Sequence, residues 1–435
     1  MKIVLIEPRA TEATVYSRLQ MPLLGPVYLG TILKNRGHEV RVYNEDIYTP
    51  DYSKLDADLI GISILTPTAK RGYEVAQKFP KSKVIIGGVH ASLLPDEALT
   101  YARQVVVGEA EEVIVDVAEG RIKDNIVQGR PVQDLDSLPF PDYSLVQGYK
   151  LPAFVTPIST SRGCPFDCSF CSVTKMFGRK YRFRSAQSVV SEVQSQKTRN
   201  IFFCDDNFTA YHKRTFELLR LMLKSKVKPW AAQVRCDVAK NPEVLDLMSR
   251  AGCKIVFIGF ESVNPVTLQS YQKHQTVDDI IHAVRAFHSK RIKVHGMFVL
   301  GGEGDNKQTP WETLKFAIKH KIDTIQMMIL TPAPGTKIYD DLKAQNRIFT
   351  RDWDLYDGQH IVFNPKQLSP RELQQNVMLA YAKFYSLRRG FVALVKLRFA
   401  NALFYFMGHK LVKEFLGQNR SMKWLPSNLK PEVHA

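Results

Sequence analysis

The chain has 435 residues, 45% hydrophobic and 24% charged, so it is too long for one small domain and too apolar for a disordered protein. Its net charge of +17 brings acidic partners, anionic lipid or nucleic acid into view but names none of them. A disulfide framework is excluded, because Cys164, Cys168 and Cys171 crowd together while Cys204, Cys236 and Cys253 lie apart, and a reducing cytoplasm is the natural setting. Met1-Lys2-Ile3-Val4-Leu5-Ile6 reaches Glu7-Pro8 too early for a signal peptide, and no apolar run is long enough to span a bilayer.

The first 130 residues alternate short apolar runs with amphipathic stretches: Lys2 to Ile6, Leu23 to Arg36, Glu39 to Tyr43, Leu59 to Leu65, Arg71 to Phe79 and Val84 to Ile86. This alternation predicts a Rossmann-like, doubly wound parallel sheet whose site gathers at the carboxyl ends of its strands. Three segments fall there: Ser63-Ile64-Leu65-Thr66-Pro67, Gly87-Gly88-Val89-His90-Ala91-Ser92 and Gly108-Glu109. Their glycines let backbone approach a ligand, although Gly87-Gly88 is equally readable as a tight strand-to-helix turn. Residues 131–150 lose periodicity and collect prolines, which predicts a linker. Through residue 150 there are 17 basic and 20 acidic residues and after it 43 and 23, so the positive charge belongs to the later part.

Alternation resumes from 151. Asn200 to Cys204, Pro229 to Arg235, Lys254 to Phe260, Lys293 to Leu300 and Thr324 to Leu330 read as buried strands, and Thr215 to Lys224, Pro242 to Ala251, Val277 to Lys290 and Trp311 to His320 as helices between them. A full or partial (β/α) barrel over 151–365 follows, in an α/β chain that ends in a helical region, 366–435. From Arg388 to Trp424 that tail carries eight Lys or Arg against one Glu, interleaved with aromatic rings.

Cys164-Pro165-Phe166-Asp167-Cys168-Ser169-Phe170-Cys171 spells CxxxCxxC after a strand expected over Phe154 to Thr160. Three thiolates on one tight loop suit three irons of a 4Fe-4S cluster and leave the fourth iron open. Zinc competes for such residues, but a structural zinc site takes four protein ligands and no histidine or second CxxC lies nearby.

The stretch Ser159-Thr160-Ser161-Arg162-Gly163-Cys164 through Cys171, with Phe170 before the last cysteine, resembles the signature of radical S-adenosylmethionine (SAM) enzymes. The resemblance implies that the cluster's open iron chelates SAM and that reductive cleavage yields a 5′-deoxyadenosyl radical, with electrons from a donor such as flavodoxin or ferredoxin. It further implies that Asp205 and Asp206 in Phe202-Phe203-Cys204-Asp205-Asp206-Asn207 receive the methionine amino group and that Arg235 pairs with its carboxylate. Glu261 would add polar contacts, and Gly296, opening Gly296 to Gly304, would lie on the strand that meets the adenine. Taken alone, Asp205-Asp206 reads as a helix cap, Arg235 and Glu261 as surface ion pairs, and the glycines as turns.

The N-terminal segment resembles the cobalamin-binding domain that precedes the barrel in one large class of these enzymes. Ser63-Ile64-Leu65 and Gly87-Gly88 match two parts of its three-part motif, while the DxHxxG part, whose histidine ligates cobalt, is missing. Ser63, Leu65, Thr66, Gly87, Gly88, His90, Gly108 and Glu109 are the implied cobalamin contacts; His90, alone on its loop, is also readable as structural. The class implies methylation of an unactivated carbon, with ring closure or carbon–carbon bond formation on a tetrapyrrole or lipid as the alternative. Methylthio transfer is disfavoured, because the other cysteines form no auxiliary-cluster pattern. A non-catalytic cobalamin-responsive sensor is the rival from another class, although a sensor has no use for an open iron.

The tail offers the substrate hint. Basic residues interleaved with rings on helices suit a membrane surface, which implies a cytoplasmic protein with peripheral membrane contact and a hydrophobic substrate. The competing reading is that Leu394, Leu397, Phe404 and Leu411 pack against the barrel while the bases are solvated. No recognised nucleic-acid module is present, and nucleic acid is not expected as a partner.

Overall fold

The structure, a computed structural model, describes residues 1–11, 21–419 and 422–426. Strands β1 (Lys2–Glu7), β2 (Glu39–Asn44), β3 (Leu59–Ser63), β4 (Val84–Gly87), β5 (Gln104–Val107) and β6 (Ile126–Gln128) form an all-parallel sheet in the order β2-β1-β3-β4-β5-β6. The strands read as unbroken apolar runs because helices cover both faces; β1 is buried from Ile3 to Glu7. Chain order reverses between β1 and β3, the switch point at which doubly wound sheets leave a crevice beyond their strand ends.

Residues 131–150 are a packed segment rather than a loose tether. Tyr143, Leu145 and Val146 enter the core of this sheet beside Val42 and Leu33. The backbone of the segment turns twice, at Leu135–Ser137 and Tyr143–Leu145, where the Asp134 and Asp142 carboxylates accept from the N–H groups of Asp136 and Ser144. Aspartate turns satisfy the backbone locally, so an aperiodic stretch can still bury its apolar side chains.

Six more parallel strands alternate with helices: β7 (Ala153–Ile158), β10 (Thr198–Phe203), β11 (Trp230–Val234), β12 (Cys253–Glu261), β13 (Lys293–Leu300) and β14 (Thr324–Ile329). Six falls short of the eight of a closed barrel, so the barrel is partial. A two-stranded antiparallel ribbon, β8 (Ser161–Arg162) with β9 (Arg182–Phe183), brackets the cysteine segment. The helices His212–Lys224, Pro242–Arg250, Val277–Ser289 and Thr309–Lys319 lie where the periodicity predicts them, and side chains cap the starts of the middle two. Asn241 caps Pro242–Arg250, and Thr276 with Asp279 closes a capping box on Val277–Ser289.

The described residues divide into two compact units. One gathers the chain up to Phe166 together with Ser172–Ala232, and the other Asp167–Cys171 with Gln233 onward. In the first, β10 pairs with both β7 and β11 above a cluster of Phe203, Phe208 and Trp230 rings. In the second, β13 pairs with β12 and β14.

The tail is helical as expected, over Pro370–Phe384, Leu387–Val395 and Phe399–Gln418, while Arg420 lies outside the described residues. Of the four residues expected to pack inward, Leu394 and Leu411 are half-buried while Leu397 and Phe404 are exposed. Ala393, Ala402, Tyr405, Val412 and Phe415 are buried, whereas Leu397 is 74% and Phe404 39% exposed. No described helix is long and apolar enough to cross a membrane.

Candidate active site

The strand expected to run to Thr160 ends at Ile158, and Asp205 is the reason. Its Oδ1 accepts from Thr160 N (2.7 Å) and Ser161 N (2.6 Å), and its Oδ2 from Thr160 Oγ1 (2.7 Å), which turns the chain out of β7 and into β8. The carbonyl of Thr160 accepts from Arg184 N and from Arg214 Nη2. Gly163 follows at a φ of 84°, where a Cβ would lie 2.6 Å from the Lys180 carbonyl, so only glycine makes this entry to Cys164.

Cys164, Cys168 and Cys171 form no disulfide and are partly exposed. A Cys168 carbonyl to Cys171 N–H bond (3.1 Å) tightens the CxxC turn. Ser169 pins the turn from beneath, with its N–H on the Tyr271 carbonyl and its Oγ on the Ser270 carbonyl, and Phe170 meets the Tyr271 ring edge-on at 5.1 Å. Among the described residues no three histidine, cysteine or carboxylate side chains close around a single ion. Three partly exposed cysteines outside any disulfide, two of them on one CxxC turn, are the donor chemistry of a cluster that takes one thiolate per iron.

Arg235 brings positive charge to the loop: its Nη1 lies 4.0 Å from Cys168 Sγ while its Nη2 donates to the Lys273 carbonyl at 2.6 Å. Lys273, which the sequence reading did not single out, is buried with its Nζ 2.7 Å from Glu261 Oε1. Burial alone would lower this ammonium's pKa, but the Glu261 and Cys168 charges outweigh it and hold the pKa above the usual lysine value. Arg235 and Glu261 are therefore interior groups, not surface ion pairs. Gly259 makes room for this pair, since a Cβ there would lie 2.3 Å from Glu261 Oε1 and 2.9 Å from Lys273 Nζ. Gly296 admits the Phe260 ring, 2.8 Å from where its Cβ would be.

Asp206 differs from its neighbour. It is half-buried, and burial together with the Asp205 charge raises its carboxyl pKa to about 7. A carboxylate so destabilised gains most from an arriving cation.

In the first sheet the loops after β3, β4 and β5 are stitched to one another. Gly88 has a φ of 95° and leaves a Cβ no room, 2.6 Å from the Ile64 carbonyl; His90 N donates to that same carbonyl. Ser92 Oγ donates to the Gly88 carbonyl and accepts from Gly108 N. Ser63, Leu65, Gly87 and Gly108 stay partly exposed, and beyond Gly108 a Cβ would meet only one atom, at 4.0 Å. This glycine-lined rim fits the edge of a large planar group. Thr66 and His90 face inward instead: His90 is wholly buried, with Nδ1 3.3 Å from Thr66 Oγ1 and Nε2 3.3 Å from Glu97 Oε1. Burial holds its pKa below the ordinary histidine value.

Glu109 is also committed. Its carboxylate accepts from Arg182 through both oxygens, from Arg162 Nη1 (2.7 Å) and from Val132 N (3.1 Å), while Arg162 Nη2 reaches Glu111 Oε1 at 2.5 Å. This buried network ties the end of β5 to the β8–β9 ribbon around the cysteine segment. The sequence carried half of it, because Arg162 stands within the signature and Glu109 beside Gly108, but Arg182 and Glu111 had no local signal.

A radical SAM superfamily model matches residues 158–317, and a B12 binding domain model matches residues 13–118. The bacteriochlorophyllide d C-12(1)-methyltransferase of Chlorobaculum tepidum is 29% identical over 405 residues, 88% of this chain and 87% of that protein. An uncharacterised methyltransferase of Pyrococcus horikoshii is 30% identical over 88% of this chain and 92% of its own length. The hopanoid C-3 methylase of Methylococcus capsulatus is 24% identical over 90% and 82% respectively. Among solved structures, the radical SAM methyltransferase TsrM of Kitasatospora setae, with cobalamin and a 4Fe-4S cluster bound, aligns with a TM-score of 0.63 at 18% identity, covering 86% of this chain and 81% of its own. The cobalamin-dependent radical enzyme OxsB, with aqua-cobalamin and SAM bound, aligns at 0.68 and 14% identity over 98% and 76%. At these identities the two structures speak for the fold.

Proposed function

This chain belongs to the radical SAM enzymes that carry a B12-binding domain, and from that premise we propose that it methylates an unactivated carbon of an apolar acceptor, a tetrapyrrole or a polycyclic lipid. The observation that carries the reading is the partly exposed CxxxCxxC loop, its cysteines outside any disulfide, with the Arg235 guanidinium at Cys168, on a chain that also has a glycine-lined rim at its B12-binding sheet. The acceptor classes follow from relatives that act on bacteriochlorophyllide and hopanoid. When bound, the cofactors supply a carbon-centred radical from SAM and a transferable methyl from cobalamin.

The protein's own groups hold and orient these cofactors. Cys164, Cys168 and Cys171 give one thiolate to each of three irons, and Arg235 balances their negative charge. Asp206 would receive the methionine ammonium as a carboxylate, and Asp205 acts at one remove by fixing the turn that leads to the cysteine loop. The rim at Ser63, Leu65, Gly87, Gly88 and Gly108 seats the corrin edge, with Glu109 supporting that rim from within. His90, buried against Thr66 and Glu97, would support the rim from within rather than contact the cofactor. A low-potential donor such as flavodoxin or ferredoxin would supply the electron this chemistry needs.

The test is anaerobic reconstitution with iron, sulfide and hydroxocobalamin, followed by reaction with dithionite, methyl-deuterated SAM and either a bacteriochlorophyllide or a hopanoid. Transfer of the labelled methyl to one acceptor class supports the proposal, and a product that has lost hydrogen without gaining carbon would replace methylation by ring closure. Cys168→Ala should abolish 5′-deoxyadenosine formation while leaving corrin uptake intact; persistent cleavage would falsify the cluster assignment.

A further inference from the structure

We infer that the outer face of the helical hairpin Leu387–Val395 and Phe399–Gln418 docks on an anionic lipid bilayer. Both helices place large apolar side chains outward at four-residue spacing: Leu387, Phe391 and Val395 on the first, Phe399, Leu403 and Met407 on the second. Residues four apart share one helix face, so each set is a stripe. Val395 is 83% and Phe399 63% exposed, and Leu397 in the intervening turn is exposed as well. Contiguous exposed apolar groups of this size mark an interaction surface.

The hairpin is rigidly held from its other side, so the stripe is not a frayed end. Gly390 lies against the Phe406 ring, where a Cβ would be 2.5 Å away, and Phe391 meets the same ring edge-on at 5.4 Å. Gly408 lies against Tyr385, Asn401 accepts from Lys293 Nζ at 2.8 Å and donates to Asp323, and Arg389 donates to Tyr405 Oη while covering the Phe384 ring. With the inner face committed in this way and Phe391 resting its edge on Phe406, Leu387, Val395, Phe399, Leu403 and Met407 are left exposed.

Charge selects the occupant. From Leu387 to Lys413 there are six basic residues and no acidic one. Arg388, Lys396, Arg398 and Lys410 are exposed, and Lys410 continues the Phe399–Leu403–Met407 stripe one turn on. Rings and aliphatic chains bordered by cations match the boundary between anionic headgroups and acyl chains, and a helix of this kind lies on a membrane without crossing it. A protein partner would have to offer an acidic rim around an apolar centre, whereas an anionic bilayer presents both everywhere. The inference does not depend on which carbon is methylated, and it is read without turnover, so it stands or falls apart from the proposed reaction.

Full-length protein should co-sediment with phosphatidylglycerol–phosphatidylcholine vesicles and far less with phosphatidylcholine alone. Val395→Ser with Phe399→Ser should weaken binding about tenfold from lost apolar burial, and Lys396→Gln with Arg398→Gln about thirtyfold from lost charge. All four positions are exposed, and unchanged circular dichroism would confirm that the variants fold. Absence of binding to anionic vesicles, equal binding to neutral ones, or wild-type binding by the serine variant overturns the inference. So does a wild-type dimer in light scattering that the serine variant converts to a monomer, because a second copy would then cover the face.

Discussion

Glu109→Gln isolates the network that joins the end of β5 to the β8–β9 ribbon. The carboxylate is 3% exposed and takes every hydrogen bond as an acceptor, from two guanidiniums and a backbone N–H. An amide of the same shape presents a donor on one side, so at least one N–H meets another N–H, and Arg182 keeps only the Val132 and Phe177 carbonyls. Breaking a buried pair while leaving its cation in place costs about 3 kcal/mol, and at roughly 2 °C per kcal/mol for a unit of about 200 residues, the melting temperature should fall by about 6 °C. Glu111, which the structure joins to Arg162 Nη2 alone, is the control: Glu111→Gln should cost about 1.5 kcal/mol, near half the shift. Burial would raise the Glu109 carboxyl, but hydrogen bonding by Arg182 and the charge of Arg162 hold it below its usual value. A depressed carboxyl contributes its stability above the unfolded pKa and loses it as pH falls through the folded one. The gap between wild type and Glu109→Gln in scanning calorimetry should therefore be constant from pH 8 to pH 6 and close only below about pH 4. A gap under one degree at pH 7, or one that grows on acidification, would refute the reasoning.

Asp206→Asn should act with opposite signs on the protein and on its cofactor. Because the folded carboxyl is raised to about 7, the cofactor-free chain loses stability as pH rises from the unfolded value of about 4 to about 7 and stays destabilised above that, so the variant should melt higher than wild type at pH 8 and level with it near pH 4. The same substitution should weaken SAM binding in calorimetric titration, and a variant that lost neither would remove Asp206 from the site. Gly88→Ala forces a Cβ into the Ile64 backbone at a φ of 95° and should lower the melting temperature by about 4 °C, from about 2 kcal/mol of strain. An unchanged value would mean the β3–β4 rim can relax. Arg235→Gln removes the positive charge beside Cys168 and should lower the cluster's midpoint potential by about 60 mV in an electron-resonance titration, a tenfold shift in the one-electron equilibrium.

What the sequence made legible is what is local. Strands buried on both faces announce themselves as apolar runs, the cysteine spacing is complete within eight residues, and Gly88 and Gly163 mark backbone that other residues cannot adopt. What stayed hidden depends on partners far along the chain. Glu109 meets Arg162 and Arg182 across 53 and 73 residues, and Lys273 reaches Glu261 only because the loop after Pro265–Ser270 returns to the end of β12. Nothing in the spacing of those charges foretells the pairing.

The two adjacent aspartates lie between these cases. A composition-level reading treats Asp205 and Asp206 alike, yet the side-chain alternation of β10 continues past its end: Phe203 is buried, Cys204 exposed, Asp205 buried and Asp206 half-buried. A strand that alternates faces cannot offer neighbouring carboxylates to one ligand. The inward one is consumed by Thr160 and Ser161, whose N–H groups would otherwise be orphaned where β7 breaks off toward the cysteines. Counting by twos from Phe203 would have separated the acid that builds the loop from the acid that can receive a cation, and that division of labour lets one strand end both shape the cluster loop and keep a carboxylate poised near neutrality.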